Sequence, residues 1–137
     1  MSIKRVMTIV LVTLCLIMTT ISCSYASVNT CRLSRTDKWK WSETEFSATR
    51  AWITSGEVSA GSTRSVYFIH AVYPNAGMPK SSYTQDRYTL VNPGKKINSS
   101  LQSTDFKPKY YFRLLLNVYG DSTIGGIANG KQTDYRE

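Results

Sequence analysis

Apolar and polar positions alternate along much of this chain with a period of two, and glycine- or proline-bearing clusters break the alternation at short intervals. A two-residue period sends successive side chains to opposite faces of an extended strand. The clearest run is residues 64–73, RSVYFIHAVY, in which Val66, Phe68, His70 and Val72 share one face and Tyr67, Ile69, Ala71 and Tyr73 the other. Both faces are largely apolar, which predicts a central strand covered on both sides. Residues 109–119, KYYFRLLLNVY, place Tyr110, Phe112, Leu114, Leu116 and Val118 on an apolar face and Tyr111, Arg113, Leu115, Asn117 and Tyr119 on a mixed one. Pro108 suits the start of that strand, where no ladder N–H is needed. Weaker strands are predicted over 38–46, 49–54, 83–91 and 96–101.

Turn clusters fall at Gly56, Gly61, Pro74–Gly77, Asn92-Pro93-Gly94, Gly120-Asp121 and Gly125-Gly126. Asn129-Gly130 tolerates positive φ at both central turn positions, so it predicts a hairpin joining a short strand near Ile124 to one ending near Tyr135. No long stretch keeps a helical period. Six or seven strands with turns about every 8–12 residues predict a single antiparallel β-sandwich, immunoglobulin-like or similar, with a small barrel as the alternative.

The front end reads differently. Lys4-Arg5 precedes an apolar run from Val6 to Ile21, and small residues follow in Ser24-Tyr25-Ala26. A positive n-region, an apolar core and small residues predict a secretory signal peptide over residues 1–26, with the cut before Ser27 and a single secreted domain over 27–137. An apolar run of sixteen residues spans about 24 Å as a helix, short of the roughly 30 Å hydrocarbon core. Two alternatives compete. Thr20-Ile21-Ser22-Cys23 resembles a permissive lipobox, which would lipidate Cys23 and anchor the chain to the membrane, and an uncleaved anchor is the third option.

Charge and cysteine usage narrow the class. The full chain carries 17 Lys and Arg against nine Asp and Glu, a formal net charge of +8. Lys4 and Arg5 leave with the leader, so the domain keeps a net charge of +6. A moderate basic excess favours anionic surfaces, and it also keeps a small protein soluble. Of three cysteines, Cys15 and Cys23 precede the expected cut and Cys31 follows it. One cysteine makes no internal bridge, so stability is expected from an apolar core, with Cys31 idle or paired to another chain.

The segments SVYFIHAVY, LVNPGKK, YYFRLLLNVYG and GGIANGKQTDYRE, taken in order from Phe46 onward, resemble the layout of short secreted β-rich proteins of unassigned function from Gram-positive bacteria. That resemblance implies a secreted β-fold and no chemistry.

Candidate chemistry is sparse. His70 is the sole histidine and falls on an apolar strand face, where a packed core role is the simpler reading. A nucleophilic triad or a small secreted nuclease would have to use it, and neither a G-x-S-x-G frame nor a nearby Glu accompanies it. Glu43 and Glu45, two apart on one predicted strand face, have roughly the 7 Å spacing of an inverting glycosidase pair. One His and one remaining Cys do not make a zinc set, and no calcium or phosphate loop is visible. No catalytic residue, cofactor site or metal site is therefore assigned. Lys38-Trp39-Lys40-Trp41 alternates cations with indoles, a pattern that suits stacking beside charge or plain packing of an indole pair.

The expectation is a secreted, non-enzymatic β-sandwich that associates with an anionic wall polymer or membrane surface. No cofactor and no specific nucleic acid are expected. Its candidate binding surface is Lys38, Trp39, Lys40, Trp41, Lys95, Lys96, Lys107 and Lys109. The alternatives are a secreted antimicrobial or immunity-type factor and a small secreted nuclease or hydrolase.

Overall fold

The structure, a computed structural model, describes residues 2–10, 28–48, 51–97, 101–102 and 110–134. Residues 3–10 are helical and exposed, and among the described residues no helix is long and apolar enough to cross a membrane. The expected cleavage positions and Cys23 lie outside the described residues.

The described residues form nine strands: β1 (Val28–Leu33), β2 (Trp39–Trp41), β3 (Phe46–Ala48), β4 (Ala51–Val58), β5 (Val66–Tyr73), β6 (Thr84–Val91), β7 (Leu101–Gln102), β8 (Tyr110–Val118) and β9 (Ala128–Asp134). They form two antiparallel sheets packed face to face. One has the order β1-β9-β4-β7; the other has β2-β8-β5-β6, with β3 also pairing β8. The chain is thus an open β-sandwich and not a closed barrel.

Strict alternation explains why β5 and β8 sit at the centre. Val66, Phe68, His70 and Val72 pair with Val118, Leu116, Leu114 and Phe112, so the two apolar faces read from the sequence coincide on the inside. From the other sheet, Cys31, Leu33, Ile53, Val58 and Ala128 meet them in the main core. A second cluster of Phe46, Ala51, Val72 and Phe112 fills one end.

Two expectations are corrected. Asn129-Gly130 makes no hairpin: both residues lie inside β9, where Gly130 pairs with Gly56 on one side and Cys31 on the other. A β-carbon at Gly130 would stand 2.8 Å from Leu114 Cδ2 and 3.1 Å from Phe68 Cε1, and one at Gly56 would stand 2.7 Å from Phe68. The glycine pair therefore makes room for the Phe68 ring across the sandwich, a packing requirement rather than a turn requirement.

The predicted strand over 38–46 is broken in two. Ser42 is buried, its Oγ accepts from Leu114 N (3.0 Å) and donates to the Thr44 carbonyl (3.2 Å), and its own N–H donates to Leu114 O (2.8 Å). A serine side chain that competes for ladder groups interrupts the strand. Arg113 then holds the intervening loop, donating from Nη1 to the carbonyls of Ser42 (3.1 Å) and Glu43 (2.8 Å). Beyond these, β1 has no counterpart among the predicted strands.

Candidate binding faces

Register sorts the candidate residues onto opposite sides of the molecule. Trp39 and Trp41 pair with Asn117 and Leu115 of β8, and so point out from the five-stranded sheet. Tyr67 and Leu90 continue the row of Trp39 and Asn117 across β5 and β6; Ile69 and Tyr88 continue the row of Trp41 and Leu115. This outer face is aromatic. Tyr67 meets Tyr88 and Tyr119 at centroid separations of 5.7 and 5.8 Å, and Trp41 meets Tyr83 edge-on at 5.2 Å. Beneath the rings Ile69 and Leu115 are buried, while Trp39, Tyr88 and Tyr119 remain about half exposed.

Lys40 pairs with Leu116 and so lies on the other side of β2 from the tryptophans, as alternation requires. It occupies a notch of about 390 Å³ with Arg32 and Glu43. This notch shares Thr30, Cys31 and Arg32 with a trough of about 610 Å³ across the outside of the four-stranded sheet. Arg32, Lys96 and Lys131 line the trough together with the hydroxyls of Thr30, Thr54 and Ser55, and among the described residues Glu57 is the one carboxylate that lines it. Lys96 approaches Glu57 at 3.9 Å with both side chains largely exposed, an ion pair that leaves the ammonium accessible. Lys38 and Lys95 are exposed. Lys107 and Lys109 lie outside the described residues.

Arg32 and Lys131 were not singled out from the sequence. Each is an isolated cation in a polar stretch, and only the pairing of Thr30 with Lys131 and of Arg32 with Asn129 brings them onto one face.

The residues of the hydrolase alternative are placed otherwise than that reading needs. His70 is fully buried on the inner face, and burial, with a smaller contribution from the charge of Arg87, pushes its pKa down to about 3. Glu43 and Glu45 fall in the loop between β2 and β3, not on one strand. Glu45 approaches Arg113 at 3.8 Å and accepts from Gly77 N (2.8 Å), so it joins two loops. Among the described residues no group of three His, Cys, Asp or Glu is arranged to hold a metal ion.

Cys31 faces the core, 5 % exposed, with Sγ 3.2 Å from the Lys40 carbonyl. Desolvation pushes its thiol up to about 12. No known family model matches the chain, and no curated protein or solved structure matches it at a significant level.

Proposed function

We propose that this protein is a secreted, non-enzymatic binding module that associates with an anionic polymer or membrane surface through the outside of its four-stranded sheet. The observation that supports this reading is the trough that Arg32, Lys96 and Lys131 line together with Glu57. Three cations against one carboxylate on a shallow, hydroxyl-rich surface attract repeated negative charge, and the attraction weakens with salt because the groups are exposed. Lys40 extends the basic surface past Arg32. Trp41 also lines the notch that holds Lys40, whereas neither Trp39 nor Trp41 lines the trough itself, so the trough's attraction for anions rests on its cations.

Co-sedimentation of the purified protein with isolated cell walls and with phosphatidylglycerol vesicles tests the proposal. Pelleting is expected at low salt and is expected to fall as salt rises. The triple variant Arg32→Ala/Lys96→Ala/Lys131→Ala should stay in the supernatant. Failure of the unaltered protein to pellet with either probe at low salt removes the reading.

A further inference from the structure

We propose that the corner formed by Trp39, Trp41 and Tyr83, on the opposite side of the molecule from the basic trough, is a carbohydrate subsite for a pyranose that carries a carboxylate. The corner encloses about 540 Å³. Its walls are the Trp41 and Tyr83 rings, set at 76° to each other. Two near-perpendicular aromatic walls do not form the parallel slot that would sandwich a flat base. They suit a puckered ring, which lays its apolar C–H face on one wall and its edge against the other. Leu115 makes an apolar floor, and Trp39, about half exposed on the same strand face, offers a second platform for the next sugar of a chain.

Few polar groups line this site, and their chemistry is specific. Asn117 offers an amide that both donates and accepts, matched to sugar hydroxyls, and Ser81 adds a hydroxyl. Among the described residues Lys80 is the only charged one that lines the corner, and it forms no ion pair with the others. An ammonium without a partner beside an apolar corner selects a ligand with a single negative charge per ring at that position. The short 3-10 turn Lys80–Ser82 that carries it is fixed from below: buried Tyr73 donates from Oη to the Lys80 carbonyl at 2.8 Å. The site is therefore built from a strand, a central-sheet floor and an anchored turn rather than from a loose loop.

The test is titration of the full chain, followed by tryptophan fluorescence and calorimetry, with an oligogalacturonide, a neutral galacto-oligosaccharide and oligothymidylate. The oligogalacturonide is expected to bind and to perturb the fluorescence. Trp39→Ala should weaken it about tenfold or more, by analogy with the loss of one aromatic stacking partner, with an unchanged far-ultraviolet circular-dichroism spectrum. Lys80→Gln, on an exposed turn, should bring the acidic saccharide down to the affinity of the neutral one. Arg32→Ala/Lys96→Ala/Lys131→Ala should leave this binding unchanged, which separates it from the basic face. Absence of binding at millimolar oligogalacturonide, equal affinity in Trp39→Ala, or tighter binding of oligothymidylate would each overturn the assignment.

Discussion

His70 stands among apolar neighbours with neither ring nitrogen hydrogen-bonded among the described residues. A neutral imidazole tolerates that position better than a charged one. Its pKa drops from 6.5 to about 3 on folding. Above pH 6.5 the ring is neutral in both states and native stability is complete in this respect; as pH falls from 6.5 toward 3 the unfolded chain takes up the proton first, and stability is progressively lost. Urea unfolding followed across that window should show a falling midpoint for the unaltered protein and a flatter one for His70→Leu, which keeps the volume and removes both unpartnered nitrogens. Parallel curves for the two proteins would contradict this account. Cys31 carries a companion prediction. A buried thiol raised to about 12 should not react with a disulfide reagent at pH 8 until denaturant is added. Immediate stoichiometric labelling of the native protein would show that the core position is wrong. Alternation along the sequence placed His70 on the inward face, whereas Cys31 had no face assigned and takes its side from its pairing with Gly130 of β9.

Among the elements, legibility followed the strength of the period. β5 and β8 were readable to within two residues because nearly every second position is large and apolar. β1 was not, because its inward residues are Asn29, Cys31 and Leu33. A buried asparagine breaks the apolar signal, and its burial depends on remote partners: it donates to Phe112 O at 3.2 Å and to Gln132 Oε1 at 3.3 Å, and accepts from Thr44 Oγ1 at 2.6 Å. Asn129-Gly130 misled for a related reason. Locally it is turn chemistry, but its glycine answers to Phe68 and Leu114 in the opposite sheet. Gly130→Ala should therefore destabilise by about 1–3 kcal/mol, the usual cost of forcing a methyl into a packed core. For a domain of this size that lowers the melting temperature by several degrees. A hairpin glycine at positive φ would respond similarly to alanine, so the informative double variant is Gly130→Ala with Leu114→Val, in which the smaller partner should restore part of the loss. No recovery would argue against the cross-sandwich contact.

At the scale of the whole molecule, the sequence grouped Lys40 with Trp39 and Trp41, whereas β2 turns them to opposite faces, because adjacency along a strand means opposition across it. The two outer faces are then chemically distinct, one cationic and hydroxylated, the other aromatic. What joins them is the interior, and β1 closes one side of it. It pairs with six of the seven residues of β9, from Val28 against Thr133 to Leu33 against Ala128. Its Leu33 belongs to the core, and its Cys31 reaches across to the β2 backbone of the other sheet. Without it β9 becomes an exposed edge beside an uncovered apolar interior, the arrangement that promotes association between chains. A chain starting at Ser27 should keep the β-rich circular-dichroism spectrum and a cooperative melt, since removal stops short of β1. One starting at Ser34 loses Asn29, Cys31 and Leu33 together and should aggregate or fail to fold. A cooperative, monomeric fold in the shorter chain would mean that β1 is an accessory strand, and that the sandwich closes on the remaining eight.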